Sequence, residues 1–408
     1  MVAGICACSK DGDPQKQKIQ FTERQEIQLT KSQQDIVNKG NGFAFKLFGE
    51  IYKSEADKEV FISPFSMEAA LSMLCNGAEG STFTEIENAL GYKGFSKDEI
   101  NGTYRLLTEA LLKADNTTKF SIANAMWLNR QFPVLPAFAS TLTENYGAKV
   151  ANLDFSSPNA LEAINKWTKE STGGMIPTLF DHLEPSWVYI LANALYFKGI
   201  WSEKFDAENT RQETFYCLSG ETVKTDFMRG EIPCRYTYDE DSRAEMCELP
   251  FGNKSFQLCI LLPDARIDFN GFVKGLSAEK WDAISKNLYS TDLYVILPKM
   301  DVSFTGTDSF KDALVAMGIQ SAFSGAADFS ALSNVPTYIS DVIQKARFKM
   351  DENGAEAAAV TGLIAKETAV AWPPRQFFAD HPFVYAIREF STGAILFIGA
   401  CRNLKQAN

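Results

Sequence analysis

The chain has 408 residues and a formal net charge of −11, with 51 acidic and 40 basic side chains. Because no stripe of basic residues accompanies this acidic balance, we expect no nucleic-acid partner. No run approaches the ~20 consecutive apolar residues of a membrane-spanning helix, so the sequence predicts membrane contact only through a lipid anchor.

The first 32 residues differ in composition from the rest of the chain. Residues 5–8, Ile-Cys-Ala-Cys, resemble the end of a bacterial lipoprotein signal, with a small residue before Cys8. Only seven residues precede Cys8, fewer than a complete signal peptide needs. Either the true start lies upstream or the similarity is coincidental. In the first case Cys8 carries lipid, residues 9–32 form a polar tether, and the protein is extracellular or bound to the cell envelope. In both cases we expect residues 33–408 to form a single domain.

A helix is predicted after Ser63, because serine caps helix N-termini and Pro64 suits the first helical position. Apolar residues recur at helical spacing from Met67 onward, and Gly77 and Gly80 are expected to end the helix. The next predicted elements are a strand over Thr117–Asn129, a helix over about Ala160–Thr172 and a strand over Val188–Phe197. The last is uniformly apolar, which is typical of a central strand covered on both faces.

Strands dominate the second half of the chain. Two apolar runs flank Gly252–Ser255, which indicates a hairpin, and a second hairpin is predicted to turn at Ser391–Gly393. Between them the sequence predicts a strand that ends near Pro298 and an amphipathic helix over Asp308–Ile319. Because helices concentrate early and strands late without a clear linker, we expect one mixed α+β domain.

The sequence carries no recognisable catalytic or cofactor motif. The two histidines, His182 and His381, have no partner at metal-ligand spacing, and no nucleophile elbow or glycine-rich phosphate loop occurs. The acidic triplet Asp239–Asp241 is typical of a solvated turn. Acids and bases can converge from distant positions, so a hydrolase with an unrecognised site stays open. We nevertheless expect no enzyme and no cofactor.

Residues 350–374 are unusual because they contain almost no large core side chain. One interpretation is an exposed alanine-rich helix, since Ala and Glu favour helices. Val360, Gly362 and the end at residues 372–374, Trp-Pro-Pro, oppose it. As a strand, the segment has one small, uncharged face and one face with charge at both ends. The small face consists of Ala355, Ala357, Ala359, Thr361, Leu363 and Ala365. Such a strand suits insertion between two strands already in place.

Four ordered blocks resemble the serpin family, and together they span the chain from about Gln33 to Leu404. They are similar, in order, to the helix beneath the main serpin sheet, a central strand and its turn, the hinge before the mobile loop, and the C-terminal hairpin. The blocks are Val60–Thr82, Ala192–Thr210, Ser340–Gly362 and Ala379–Leu404. The resemblance implies eight to nine helices, three β-sheets and an exposed reactive-centre loop at about residues 354–374.

The resemblance also implies a function, namely suicide-substrate inhibition of serine endopeptidases and also of cysteine endopeptidases. The protease cuts the loop, and the freed loop inserts as a new strand in the main sheet before the acyl-enzyme is hydrolysed. We expect a monomer that forms covalent complexes with elastase-like or trypsin-like enzymes. The alternative is a non-inhibitory serpin acting as a carrier, chaperone or storage protein. The small inward face favours inhibition.

The resemblance assigns site residues as well. The hinge comprises Glu352, Gly354, Ala355, Ala357, Ala358, Ala359 and Thr361. Lys299 and Glu352 match a salt-bridged pair at the top of the sheet, where insertion starts. A polar cluster below the middle of the sheet is matched by Ser63, Ser66, Asn193 and Gln344, with Gln344 in place of the family's usual histidine. Counting from Gly354 places the cleaved bond between Thr368 and Ala369. Lys366 is the alternative residue for a trypsin-like enzyme.

Overall fold

The computed structural model describes residues 20–56, 58–174, 176–306, 308–340, 342–355 and 375–404. Within these ranges the helices are α1 (Lys31–Ser54), α2 (Pro64–Gly77), α3 (Gly80–Leu90), α4 (Lys97–Leu111), α5 (Pro136–Tyr146), α6 (Pro158–Ser171), α7 (Phe269–Lys274), α8 (Ala278–Ser285) and α9 (Asp308–Ala316). The first eight strands are β1 (Val60–Ile62), β2 (Lys119–Asn129), β3 (Lys149–Leu153), β4 (Tyr189–Lys198), β5 (Arg211–Tyr216), β6 (Thr222–Asp239), β7 (Ala244–Phe251) and β8 (Phe256–Pro263). The remaining strands are β9 (Tyr289–Pro298), β10 (Met300–Gly306), β11 (Gln344–Asp351), β12 (Gly354–Ala355), β13 (Gln376–Phe378), β14 (Phe383–Glu389) and β15 (Ile395–Cys401). The expected mixed α+β class is confirmed.

Helix α2 begins where the sequence predicted it. Its cap, Ser63, accepts a hydrogen bond at Oγ from the Ser66 amide at 3.2 Å, and Pro64 occupies the first helical position. The helix ends at Gly77 as expected, whereas Gly80 opens α3 instead of stopping α2. Nearly every α2 side chain is buried, because the helix packs on α1, α4 and α5 and also on β4 and β15.

The polar segment before α1 lies against the domain from residue 20 onward. Helix α1 begins at Lys31, slightly before the predicted start of the domain. Upstream, the Ile27 amide donates to Ser391 Oγ at 3.0 Å, and the guanidinium of Arg24 lies 4.0 Å from the centroid of the Phe390 ring. The last part of the expected tether therefore contacts the C-terminal hairpin. No helix among the described residues is both long enough and apolar enough to cross a bilayer.

The largest sheet has the strand order β1-β15-β14-β8-β7-β6-β9-β13, with β5 paired to β6. Both predicted hairpins lie in it, because β7 and β8 are joined at Gly252–Ser255 and β14 and β15 flank Ser391–Gly393. The last two strands of the chain lie inside this sheet. Strand β15 pairs with β1 on one side, and β14 pairs with β8 on the other.

A buried arginine connects the end of this sheet to α1. Arg402 follows β15 and is 1% exposed. Its guanidinium donates to the carbonyl oxygens of Tyr52 at 2.7 Å and Ala56 at 2.9 Å, and also to that of Glu55. The last carbonyls of a helix have no intrahelical donor, so Arg402 satisfies the C-terminal end of α1.

Two further sheets of three strands each lie next to one another. One has the order β3-β2-β4 and the other β10-β11-β12. Their neighbouring edges, β4 and β11, approach each other but exchange no strand pairing within the described residues. With the large sheet, these give the three sheets that were expected, counted over the part of the chain that the structure describes.

Of two predictions about these strands, the first is wrong and the second is confirmed. The apolar run Val188–Phe197 forms β4 and contributes to the core on both faces, but β4 is an edge strand and not a central one. The local hydrophobic pattern of a strand indicates whether it is buried, whereas its position in the sheet depends on pairing with strands that are distant in sequence. The strand expected to end near Pro298 does so as β9, but the apolar pattern beyond it belongs to a second strand in another sheet, β10, which begins at Met300.

Candidate functional site

The candidate site is the space between β4 and β11, which we call the gap. At the end of the gap where β11 begins, its floor is a small cavity lined mostly by small or aliphatic residues. These residues are Ser66, Met67, Ala70, Leu71 and Leu74 of α2, Leu191 of β4, and Ile339, Val342, Ile343 and Gln344. Over most of their length β4 and β11 are paired on one side only. Two open strand edges above an apolar floor form a template for one additional strand.

A polar cluster closes the end of the gap where β11 starts. Gln344 accepts a hydrogen bond at Oε1 from the Ser63 amide at 2.8 Å and donates from Nε2 to the Ser63 carbonyl at 2.9 Å. Ser63 Oγ donates to the Leu396 carbonyl at 2.8 Å. The structure therefore brings together Ser63, Ser66 and Gln344. Asn193 lies in β4 opposite Asn124, and its side chain lies outside the described part of the chain.

An ion pair lies at the other end of the gap, where β11 ends. Lys299 Nζ is 3.2 Å from Glu352 Oε2, and Thr210 Oγ1 donates to Glu352 Oε1 at 2.7 Å. Burial alone would raise the pKa of Glu352, but the Thr210 hydrogen bond and the Lys299 ammonium outweigh it and hold the pKa below its usual range. Because the Lys299 side chain is 36% exposed, the pair contributes ~1 kcal/mol or less.

Sequence reasoning did not include Trp201 and Lys204 among the site residues. The Trp201 indole donates to the Asp351 carbonyl at 2.9 Å, and its amide donates to the Asn353 carbonyl at 2.9 Å. Its ring stacks on Phe251 with centroids 4.6 Å apart. Lys204 Nζ donates to Asn353 Oδ1 at 3.3 Å. Both residues hold the turn that follows β11. The signal was present, because they lie in the second serpin-like block.

Gly354 and Ala355 reverse the chain after this turn. Gly354 has φ +142°, and a Cβ added there would lie 2.2 Å from the Gly199 carbonyl oxygen and 2.6 Å from Ile200 Cα. Only glycine fits both this backbone conformation and this contact. Ala355 is 1% exposed and pairs with Met350 of β11. The first two residues of the predicted loop therefore already lie at the entrance of the gap.

The remaining predicted loop residues lie outside the described residues, as does the lipidation candidate Cys8. In the hinge these are Ala357, Ala358, Ala359 and Thr361, and at the cleavage site they are Lys366, Thr368 and Ala369. Their assignments stay predictions.

Neither histidine lies in an arrangement typical of catalysis. His182 is exposed and pairs with Glu184 at 3.2 Å. His381 Nδ1 contacts Asp380 Oδ1 and its Nε2 contacts the Pro263 carbonyl, each at 2.7 Å, so both ring nitrogens have partners. Within the described ranges no group of three or more His, Cys, Asp or Glu side chains is arranged to hold a metal ion.

The solved structures that this fold resembles include serpins. Tengpin, a thermophilic serpin in its native state, superposes with a TM-score of 0.84 at 28% identity, over 95% of this chain and 98% of tengpin. The complex of thyroxine-binding globulin with thyroxine gives a TM-score of 0.81 at 27% identity, over 91% of this chain and 100% of that one.

Sequence comparison gives the same result. Iripin-3 of Ixodes ricinus is 31% identical over 357 residues, which cover 86% of this chain and 90% of iripin-3. The leukocyte elastase inhibitor of Bos taurus is 34% identical over 373 residues, covering 88% of this chain and 96% of that protein. The profile of the family Serpin (serine protease inhibitor) matches residues 38–404, and the chain therefore belongs to the serpin family.

Proposed function

We propose that this chain is a suicide-substrate inhibitor of serine endopeptidases, and of cysteine endopeptidases with the same acyl-enzyme chemistry. The protease's oxygen or sulfur attacks the carbonyl carbon of Thr368, the bond to the Ala369 nitrogen breaks, and that nitrogen takes up a proton as it leaves. The loop stays attached to the protease as an ester or thioester. Loop insertion then competes with hydrolysis of this bond. The chain acts as a substrate and not as an enzyme.

The single observation that carries this proposal is the register at the start of the loop. Gly354 and Ala355 pair antiparallel with Asp351 and Met350 of β11, and Gly354 forms an antiparallel bridge with Ile200, just beyond β4. The chain has thus turned back from β11 into the entrance of the gap. A strand that continues in the same register would fill the gap between β4 and β11.

Continuing this register identifies the loop side chains that would be buried. Residue 357 would lie between Phe348 of β11 and Phe197 of β4, both of which are buried. Directly opposed residues share a face of the sheet, so residues 355, 357, 359 and 361 would all face the core. These positions carry Ala, Ala, Ala and Thr. No large or charged side chain would have to enter.

The two faces of the inserted strand would also match their surroundings. Glu356 would lie opposite Lys349, an exposed residue of β11, where an opposite-charge pair is favourable. Thr361 would lie between Gln344 and Asn193, next to the polar cluster, where its hydroxyl can donate and accept hydrogen bonds. A shift of one residue would move Glu356 to the core face, which supports this register over its neighbours.

The target class is a finer part of the proposal. The name of the cattle relative, leukocyte elastase inhibitor, and the small residues from Thr368 to Ala371 support an elastase-like target. Lys366 supports a trypsin-like target, whose pocket carries an acid. Mass spectrometry of the C-terminal peptide released by each enzyme would identify the cleaved bond. Release of one and the same peptide by every enzyme would refute the use of two bonds.

A carrier function is the second candidate, because one of the similar solved structures is thyroxine-binding globulin in complex with thyroxine. A carrier has no need for a small, uncharged face in its hinge, so the residues at 355, 357, 359 and 361 favour inhibition. A chaperone or storage role would leave the hinge equally unconstrained. All of these non-inhibitory functions predict plain cleavage of the loop without a trapped protease.

We further propose that the protein is a monomer that acts outside the cell or at the cell envelope. Lipid attachment at Cys8 is a separate prediction. The named curated relatives are from a tick and from cattle, which gives no support for the bacterial lipoprotein origin expected from residues 5–8. Intact mass of the protein from its natural source, with and without lipid at Cys8, would decide this point.

Incubation with elastase-like, trypsin-like and papain-like enzymes tests the inhibitory function. We expect an SDS-resistant complex with at least one enzyme, together with equimolar loss of its activity. The loop-cleaved protein should also melt at a much higher temperature than the intact protein, because insertion adds a paired strand to the open edges of β4 and β11. Cleavage with no complex and no rise in melting temperature would refute the proposal.

A further inference from the structure

Helix α2 carries a carboxyl group on the side away from the gap. Glu68 is buried, although the residues around it in α2 are apolar and line either the gap or the core. Its Oε1 accepts a hydrogen bond from the hydroxyl of Tyr92, which follows α3 and is 1% exposed. Glutamate is seldom fully buried without a charged partner, so this position calls for an explanation.

The carboxyl group of Glu68 packs directly against the backbone of α1 at Gly40. A Cβ added to Gly40 of α1 would lie 2.4 Å from Glu68 Oε2 and 2.7 Å from Oε1. Any larger residue at position 40 would expel the carboxyl group from this site. Glycine is less favourable inside a helix than alanine, and here it provides the space that Glu68 occupies between α1 and α2.

No cation compensates a charge on Glu68 within the part of the chain that the structure describes. Lys39 of α1 is exposed, and its side chain lies along Gly91. The charges of Lys97 and Glu87 influence the pKa of Cys75, which lies further along α2. The other titratable groups packed around this site are Tyr92, Tyr104 of α4 and Tyr146 of α5, which are neutral when protonated and whose pKa values burial raises.

We propose that Glu68 is a pH-dependent latch in the helix that floors the gap. As a neutral acid bonded to Tyr92 it holds α2 against α1, and on losing its proton it becomes an unpaired buried charge that weakens this packing. Gln344, at the polar cluster on the other side of α2, does not titrate. The response of this helix to pH is therefore assigned to Glu68.

The direction of the effect follows from the burial of Glu68. Burial raises its pKa from the ordinary value of 4.5 to about 7, although the Tyr92 hydrogen bond opposes this shift. Between these two values the folded protein keeps a proton that the unfolded chain has lost. Stability is therefore full below the unfolded pKa and falls as the pH rises through this window. The expected change in the unfolding equilibrium constant is about 300-fold.

The test is the pH dependence of urea unfolding of the uncleaved, full chain between pH 4.5 and 8. Because half of the unfolded chains already carry the proton at pH 4.5, the window from pH 4.5 to 8 captures about 150-fold of the change. We expect Glu68→Gln, which keeps the shape and the acceptor for Tyr92, to lose this change of about 150-fold that the natural chain displays. Glu109→Gln, at an exposed position of α4, is the matched control and should leave the profile unchanged. Parallel profiles for the natural chain and Glu68→Gln would overturn the proposal.

A second variant keeps the test decisive if Glu68→Gln does not fold. Tyr92→Phe removes the one hydrogen bond that favours the ionised carboxylate, so the upper end of the pH window should move to higher pH. A purely structural role of Tyr92 would lower stability equally at every pH, and that result would also overturn the proposal. Neither measurement uses a protease, so their outcome is independent of the proposed inhibitory function.

Discussion

Ala357→Glu is the substitution that most directly tests loop insertion. In the register set by Gly354 and Ala355, residue 357 would enter between Phe348 and Phe197. The centroids of the Phe348 and Phe61 rings are 5.2 Å apart, in the aromatic core below the strands. No charged or hydrogen-bonding partner for a carboxylate is expected at this site. The glutamate would have to enter as a neutral acid or remain outside.

The cost of neutralisation can be worked out from the pKa. At pH 7.4 a glutamate with an ordinary pKa of about 4.3 needs about 4 kcal/mol to bind a proton, at about 1.36 kcal/mol per pH unit. If the rate-limiting step of insertion includes this residue, the rate falls about a thousandfold. Hydrolysis of the acyl-enzyme then wins. At pH 5 the cost falls to about 1 kcal/mol, so inhibition should partly return.

Ala358→Glu is the matched control, because residue 358 would face outward opposite Arg347 of β11, which is exposed. The assay is the number of inhibitor molecules consumed per protease molecule inactivated, measured with an enzyme that the natural chain traps. We expect a value near one for Ala358→Glu and almost complete cleavage without trapping for Ala357→Glu. Equal trapping by both variants would refute the register and with it the argument for inhibition.

Three further substitutions test the ends of the gap. Gly354→Ala should destabilise the intact protein by about 1–3 kcal/mol through backbone strain. Gly49→Ala in α1 is the control and should not destabilise it, because a Cβ added at Gly49 meets nothing within 4 Å. Equal melting temperatures of the two variants would contradict the role of Gly354. Gln344→Ala leaves the buried Ser63 amide without its acceptor, whereas the Ser63 carbonyl keeps the hydrogen bond from the Met67 amide. The substitution should cost about 1–3 kcal/mol in urea unfolding, and no loss would contradict the hydrogen bond to the Ser63 amide. Because the pKa of Glu352 is lowered in the folded protein, its contribution is present at neutral pH and lost as the pH falls. Thr210→Val should move that acid loss of stability to higher pH, and an unchanged acid-unfolding midpoint would argue against the hydrogen bond.

The sequence predicted those parts of the fold that depend on neighbouring residues. The cap at Ser63, the turn at Gly252–Ser255 and the period-two face from Ala355 are local signals, and the first two lie where they were expected. The edge position of β4 was not predictable in this way. A uniformly apolar run such as that of β4 is expected both for a central strand and for an edge strand that lies beside a gap.

The candidate site was predictable only in part, for a similar reason. Lys299 and Glu352 could be paired through the family resemblance, but the hydrogen bond from Thr210 depends on a turn distant in sequence. The burial of Glu68 was not predicted, because a glutamate in an otherwise apolar helix normally lies on the face exposed to solvent. Its burial requires a residue without a side chain at position 40, and Gly40 lies in another helix.

The position of the last two strands has a consequence for biosynthesis. Residues 383–401 form β14 and β15, which lie between β1 and β8. A nascent chain therefore presents the facing edges of β1 and β8 unfilled until these residues leave the ribosome. Contacts between such distant segments form slowly, and open strand edges promote association between molecules. Chains whose translation stops before residue 383 should accumulate as aggregates, since the largest sheet can close only after β14 and β15 have been synthesised.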